Sequence, residues 1–192
     1  PNVAEAEAIQ RAILLSEKAG CKLHIYHMST REGVELVASA KARGVDVTAE
    51  TGPHYLLLRA KDMKTLGAML KINPPVRGDA DAEALWDGLR CGSVDMISTD
   101  HSPHTIEEKS RPSIWEAIPG FCGVETSVPL MLTEVNKGTL SPNKYAQLSS
   151  ENPAKAFGIY PRKGCLVVGA DADITIVDPK KEQVIHANSL HS

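Results

Sequence analysis

Short apolar segments that alternate with helical patterns constrain the fold of this chain most strongly. The predicted strands are Lys22–Met28, Val45–Thr51, Gly67–Asn73 and Val94–Asp100. Helical periodicity predicts helices at Ala4–Ala19, Glu32–Arg43, Ala80–Arg90, Glu125–Asn136 and Pro142–Phe157. An alternation of strand and helix predicts βαβ units around a parallel sheet, that is, an α/β fold.

The pattern changes near residue 160, so we predict two parts with the bounds 1–159 and 160–192. The second part contains two predicted strands, Asp173–Val177 and Gln183–His186, among short turns. A unit of two or three short strands is marginal alone, and we expect it to need a partner surface. The 192 residues are also fewer than the ~250 of a typical closed α/β barrel.

Composition excludes several functional classes. The formal net charge is −3, with 21 Lys plus Arg against 24 Asp plus Glu, so there is no basic footprint for nucleic acid. No apolar run approaches the ~18 residues that a bilayer crossing needs, and we expect no membrane partner. The four cysteines form no C-x-x-C pair, which favours reduced thiols and a cytoplasmic protein.

Polar residues suited to a site follow each predicted strand. His27 ends the first strand, His54 follows the second, Asn73 ends the third, and Asp100 ends the fourth, with His104 shortly after. Ligands and catalytic groups of parallel α/β folds lie at the carboxyl ends of strands. These five residues are therefore expected to converge on one site.

His27, His54 and Asp100 together form a set of nitrogen and oxygen ligands suited to zinc or a similar divalent ion. Each also has a structural interpretation: a strand histidine, a loop histidine and a helix N-cap. His24 lies three positions before His27, so we expect it on the opposite face, toward the helices.

Two kinds of chemistry follow from such a site. Asp100 could accept a proton from a water that the ion activates. Asn73, Arg77 and His104 are candidates for orienting a polar substrate, although Arg77 fits a solvated loop charge equally well.

Several longer strings resemble the cyclic amidohydrolases, which include dihydroorotase, allantoinase and hydantoinase/dihydropyrimidinase. They are ETGPHYLLL from Glu50, KINPPVR from Lys71, STDHSPHTIEEK from Ser98, PGFCGVETSVPL from Pro119, and ENPAKAFGI with KGCLVVGADADITIVD from Glu151 to Asp178. They occur in the family's order and cover nearly the whole chain.

The resemblance implies the C-terminal half of a (β/α)8 TIM-type metal-dependent hydrolase barrel, with strands 5–8 in residues 1–159. Residues 160–192 would be part of a small β-sandwich. Two zinc ions are usual in the family. By motif position, His27 resembles the fifth-strand ligand, His54 the sixth-strand ligand, and Asp100 the eighth-strand ligand and proton shuttle.

Three positions favour dihydroorotase, which interconverts N-carbamoyl-aspartate and dihydroorotate in pyrimidine biosynthesis. His104 resembles the residue that meets the substrate carboxylate, Asn73 the residue that contacts the ring, and Glu125 lies in a GVET string typical of dihydroorotases. Against this, ETGPHYLLL is shared with allantoinase-like members, and many dihydroorotases have a second histidine where Tyr55 stands. Allantoinase and hydantoinase/dihydropyrimidinase remain alternatives, as does a non-catalytic dihydroorotase-like scaffold.

The chain lacks the family's H-x-H motif and the carboxylated lysine expected before His27. We therefore interpret it as a C-terminal-side fragment that supplies the last four βα units. Alone it is expected to have little or no hydrolase activity. Because half a barrel exposes strand edges, we expect it to form a homo-oligomer or to pair with the missing N-terminal half.

Overall fold

A three-stranded parallel sheet organises the computed structural model, which describes residues 2–191. The strands are β1 (Leu23–Ile25), β2 (Val47–Thr51) and β3 (Met96–Ile97), in the order β1-β2-β3. Further backbone hydrogen bonds continue the pairing past the strand ends, from Met28 N–H to the Glu50 carbonyl and from Ser98 N–H to the Thr51 carbonyl. The carboxyl ends of all three strands therefore lie at one edge of the sheet.

Nine α-helices accompany this sheet within residues 2–191. They are α1 (Asn2–Ala19), α2 (Arg31–Ala42), α3 (Pro53–Leu57), α4 (Met63–Leu66), α5 (Asp79–Cys91), α6 (Ile106–Lys109), α7 (Val124–Asn136), α8 (Pro142–Ala146) and α9 (Asn152–Ala156). Short 3₁₀ turns occupy Ala60–Asp62, Gly67–Leu70 and Ala187–Ser189, and a π-helical turn at Gln147–Glu151 joins α8 to α9. None of the helices within residues 2–191 has the length and hydropathy to cross a membrane.

Local signals set the ends of the longer helices. The Thr30 hydroxyl accepts a hydrogen bond from Gly33 N–H, which caps the start of α2. Helix α5 ends at Gly92, whose φ of 91° is the left-handed conformation that glycine adopts without a Cβ penalty.

Apolar side chains fill the space between the sheet and the helices α1, α2 and α5. The buried residues of this core include Ile9, Ile13, Ile25, Val37, Val47, Ala49, Leu85 and Leu89. Ile25 and Ala49 are register partners in the sheet, so side chains that alternate with them point to the other face. That other face is polar.

The polar face carries a hydrogen-bonded network rather than a second apolar core. The His24 ring bonds the Thr48 hydroxyl (2.7 Å) and the Glu50 carboxylate (3.2 Å), and the Ser98 hydroxyl donates to Glu50 at 2.6 Å. The expectation that His24 faces the helices is therefore wrong. Regular alternation ends with β1 at Ile25, so a three-residue spacing from His27 does not fix the face of His24.

The predicted strand Gly67–Asn73 is also wrong, and so is the count of four strands. Gly67–Leu70 is a 3₁₀ turn, and the Lys71 carbonyl accepts from Gly120 N–H at 2.9 Å, outside any sheet. Strand β2 already has β1 and β3 as neighbours, which leaves no place between β2 and β3. Leu70 and Ile72 are buried as packing residues instead.

No strand forms at Asp173–Val177 or Gln183–His186 within the part of the chain that the structure describes. Their apolar side chains, including Ile174, Ile176 and Val184, are exposed. Two short segments without a surface to cover them do not gain enough burial to pair. The sandwich over residues 160–192 stays a prediction, as does the division at 159.

Two lysines order the predicted long loop at 101–123. Lys71 Nζ donates to the Ala117 carbonyl (2.5 Å), and Lys109 Nζ donates to the carbonyls of Lys71 (2.9 Å) and Gly120 (2.5 Å). Lys109 is buried, and its burial lowers the pKa of the ammonium group, helped by the charge of Lys71. Each hydrogen bond to a charged donor is worth more than a neutral one, which explains the order of this segment.

Candidate active site

His27 lies two residues beyond β1 in an unusual backbone conformation. Its φ is +38°, and within residues 2–191 only Asp100, at +43°, shares a positive φ among non-glycine residues. Such conformations cost energy and cluster at functional sites. The turn after His27 is held by Met28 N–H donating to the Glu50 carbonyl (2.8 Å) and by the Thr51 hydroxyl donating to the Met28 carbonyl (2.8 Å).

His54 is enclosed at the start of α3, where it is 7% exposed. Its ring packs against Tyr55 and Phe121, with centroids 4.1 Å and 5.3 Å away. The ring also folds over Gly52, where a Cβ would lie 2.3 Å from His54 Cε1. Glycine at 52 is therefore needed to admit the imidazole in this position. Phe121 comes from the lysine-ordered loop, so that loop forms one wall of the site.

Two buried nitrogens distinguish these histidines. His27 Nδ1 and His54 Nε2 are the buried side-chain nitrogen or oxygen atoms without a hydrogen-bond partner in the part of the chain described. Buried polar atoms are nearly always partnered, so each orphan calls for a ligand. Burial and the charge of His27 lower the pKa of His54 to about 4, which keeps that imidazole neutral. Neutral imidazole is the form that binds metal, so His54 fits a divalent ion, and His27 offers an unpartnered nitrogen beside it.

Asp100 follows β3 at the same edge of the sheet, with an exposed side chain. Burial raises the pKa of the Tyr55 hydroxyl, and the charge of Asp100 raises it further. The next residue is also held in place: His101 Nδ1 accepts a hydrogen bond from Gly123 N–H at 3.0 Å, which ties the Asp100 segment to the start of α7.

Within residues 2–191, no three His, Cys, Asp or Glu side chains already form a cluster that could hold a metal ion. The structure brings the segments of His27, His54 and Asp100 to one edge but does not close a complete ligand cage around them. The metal site formed by these three residues stays a prediction.

The predicted substrate residues have different surroundings. Asn73 is exposed after the Gly67–Leu70 turn. His104 Nε2 lies 3.1 Å from the Ser102 hydroxyl, and its Nδ1 lies 3.7 Å from the Glu108 carboxylate, so the ring is braced on both sides. Arg77 is largely enclosed and pairs with Glu5 at 3.2 Å.

Sequence reasoning missed two groups beside this site. Glu5 comes from α1 and reaches Arg77, and no local motif marks it. Glu50 bridges His24 and Ser98. Burial raises the pKa of the Glu50 carboxyl, but hydrogen bonds from His24 and Ser98 and the charges of His24 and His27 outweigh it and lower that pKa. The sequence signal for the Glu50 group was the alternation of His24 with Ile25, which puts His24 on the face opposite Ile25.

Comparison with known proteins identifies the relatives of this chain. The sequence profile of the Amidohydrolase family matches residues 4–190. The chain belongs to the amidohydrolase family. An allantoinase of Rubrobacter xylanophilus is 45% identical over 192 residues, which cover 100% of this chain and 42% of that protein. A dihydroorotase of Halobacterium salinarum is 42% identical over 189 residues, 98% of this chain and 43% of that protein.

The solved L-hydantoinase (dihydropyrimidinase) of Arthrobacter aurescens aligns with a TM-score of 0.86 at 45% identity, over 90% of this chain and 39% of its own. The chain thus spans less than half the length of these amidohydrolases. The predicted fold class, part of a TIM-type hydrolase barrel, is confirmed, as is the predicted membership of the amidohydrolase family. The three relatives carry three different activity names at similar identity. The comparison therefore assigns the family but not the substrate.

The lowered pKa of His54 predicts an acid-sensitive fold for the metal-free amidohydrolase. Below the ordinary histidine pKa of 6.5 the unfolded chain binds a proton that native His54, with its pKa lowered to about 4, does not yet accept. Stability should therefore fall as pH drops through this window, by about 3 kcal/mol at ~1.4 kcal/mol per pKa unit. Urea unfolding of the metal-free protein across this window measures it.

The matched variant is His54→Asn, which should show a flatter stability profile between these limits. Glu50 adds acid sensitivity only below its own ordinary value of 4.5, because its pKa is lowered in the fold. Equal profiles for wild type and His54→Asn would contradict the prediction.

Proposed function

We propose that these residues belong to a metal-dependent cyclic amidohydrolase, a dihydroorotase that interconverts N-carbamoyl-aspartate and dihydroorotate. The observation that carries the proposal is the pair of buried, unpartnered nitrogens on His27 and His54 at the carboxyl edge of a parallel sheet. Asp100 follows the third strand at the same edge. Histidine and carboxylate ligands on neighbouring strands suit Zn²⁺, and we propose two zinc ions, as the family resemblance implies.

Each residue then has a defined role. When bound, the zinc ions would supply Lewis-acid activation of water and of the amide carbonyl. His27 and His54 would hold metal through the nitrogens that lack a protein partner. Asp100 would hold metal, accept the proton of the attacking water and return it to the leaving amide nitrogen. Ring closure would use the same groups in reverse.

The choice of dihydroorotate rests on His104 and Asn73. His104 is braced by Ser102 and Glu108 in the loop that follows Asp100, where it could meet a substrate carboxylate. Asn73 is exposed and could contact the ring. Hydantoinase/dihydropyrimidinase or allantoinase is the second candidate, favoured by the 45% identity to the Rubrobacter allantoinase and the Arthrobacter L-hydantoinase. A non-catalytic scaffold is disfavoured because both histidines keep free ligand nitrogens.

We further propose that the active protein contains an N-terminal half with the remaining metal ligands, that it acts in the cytoplasm, and that it is a homo-oligomer. Residues 1–192 alone are expected to be inactive, because three of the six family ligands have no counterpart here.

A substrate panel with the full-length protein tests the proposal. Dihydroorotate, dihydrouracil, hydantoin and allantoin are supplied in turn, and zinc is measured by elemental analysis. Zinc-dependent opening of dihydroorotate with the highest kcat/KM is the expected result. A higher kcat/KM on hydantoin or allantoin would favour the second candidate, and stoichiometric zinc without any turnover would contradict both.

A further inference from the structure

We propose that Glu5 is a positioning residue for the site, and that Arg77 acts with it rather than on the substrate. The pair joins the turn that follows His27 to the segment that follows Asn73. The inference rests on the proposed function, because it concerns the same ligand and substrate segments.

The Glu5 carboxylate gathers hydrogen bonds from the turn after His27. Oε1 accepts from Ser29 N–H (2.8 Å), Thr30 N–H (3.0 Å) and the Thr30 hydroxyl (2.9 Å). Oε2 accepts from the Ser29 hydroxyl and from Arg77 Nη2, the latter at 3.2 Å. Five N–H and O–H donors therefore converge on this one carboxylate at the start of α2.

These contacts are shielded from water. Ser29 and Thr30 are 0% exposed, and the side chains of Arg77 and Glu5 are 9% and 11% exposed. Removing one partner of a buried pair leaves the other charge without compensation. The geometry of the turn therefore depends on both members.

The pair joins the His27 turn to the segment after Asn73, and that segment in turn contacts the helix that carries His54. His27 directly precedes the turn that Glu5 holds, and its positive φ needs the following residues to be fixed. Arg77 Nε donates to the Ser29 hydroxyl at 3.1 Å, which links the turn to the segment after Asn73. The Tyr55 hydroxyl donates to the Pro74 carbonyl at 2.9 Å, which links that segment to the helix that carries His54.

This arrangement changes the interpretation of Arg77. A guanidinium that is engaged with Glu5 and Ser29, and is 9% exposed, is poorly placed to reach a substrate. Its role is to set the distance between the His27 turn and the Asn73 segment. Outer residues that orient metal ligands typically change metal affinity 10–100-fold when they are altered.

The test compares Glu5→Gln with Glu7→Gln in the full-length protein. Glu7 lies on the same helix, is exposed and pairs only at the surface with Arg11 at 3.5 Å, so it is the matched control. Zinc affinity is measured by competition with a chelator. We expect zinc to bind about 10–100-fold more weakly in Glu5→Gln and unchanged in Glu7→Gln. Equal zinc affinity in wild type and Glu5→Gln would overturn the proposal.

Two further measurements cover the remaining outcomes. Ser29→Ala removes one hydroxyl partner and keeps the backbone bonds, so it serves if Glu5→Gln does not fold; it too should weaken zinc binding, and an unchanged affinity counts against Glu5. The His27 ring resonance, recorded without metal by NMR, should shift in Glu5→Gln and not in Glu7→Gln. That readout tests the positioning role even if the wild type proves to hydrolyse no cyclic amide, and an unmoved resonance would overturn it.

Discussion

Replacing Asp100 by asparagine is expected to lower kcat of the full-length enzyme by about 10²–10⁴-fold, the usual contribution of a general acid–base. Asparagine tolerates the positive φ of +43° at this position, so the backbone should persist. Its amide oxygen can still approach a metal, but it cannot accept the proton of the attacking water. The expected loss is therefore in kcat, with a smaller change in zinc content.

Steady-state kinetics and zinc analysis on the same preparation measure both quantities. Asp87→Asn is the matched control, because Asp87 is exposed on α5 and pairs only with Arg90 at 2.7 Å. If Asp100→Asn kept a kcat near that of wild type at full zinc occupancy, the proton-transfer role would be wrong.

Replacing His27 by asparagine is expected to weaken zinc binding more than the 10–100-fold typical of an outer residue, because it removes a direct ligand. The same change should alter the free energy of unfolding of the metal-free protein by less than about 1 kcal/mol. The reason is that His27 Nδ1 has no protein partner to lose, and asparagine accepts the left-handed backbone.

Chelator competition and urea unfolding without metal separate these two effects. His27→Ala adds a comparison, since alanine at φ +38° should cost a further ~1–2 kcal/mol of stability. His186→Asn, in the exposed tail, controls for loss of an imidazole elsewhere. A His27→Asn protein that unfolds easily without metal, or that binds zinc as wild type does, would contradict the prediction.

Local signals predicted the helices well. The expected Ala4–Ala19 and Glu32–Arg43 correspond to α1 (Asn2–Ala19) and α2 (Arg31–Ala42). Helical periodicity and caps are properties of neighbouring residues, so they are visible in the sequence. The parallel sheet also followed from the order of elements.

Failures came where distant contacts decide the outcome. The segment Gly67–Asn73 has a strand-like pattern, yet the Lys71 carbonyl bonds a loop residue 49 positions later. The tail strands have the right alternation, but no surface covers them in the described chain. A sequence pattern indicates which side chains share one face of a strand, but not whether another element is present to cover that face.

The residues of the site divide in the same way, into those marked by the local sequence and those fixed by distant contacts. His27, His54 and Asp100 were predicted from their place after strands, and the structure puts their segments at one edge. Glu5 was not predicted, because its partners Thr30 and Arg77 lie 25 and 72 positions away along the chain. Arg77 was predicted as a substrate contact because its charge was visible and its partner was not.

The left-handed backbone at His27 and Asp100 also limits how this lineage can change. Asparagine, aspartate and glycine are accepted at such positions, whereas β-branched residues are strongly disfavoured. Relatives that keep the same turns are therefore expected to vary at these two positions mainly among asparagine, aspartate, histidine and glycine. Bulky β-branched residues at both positions would instead indicate a different backbone in the turns after β1 and β3.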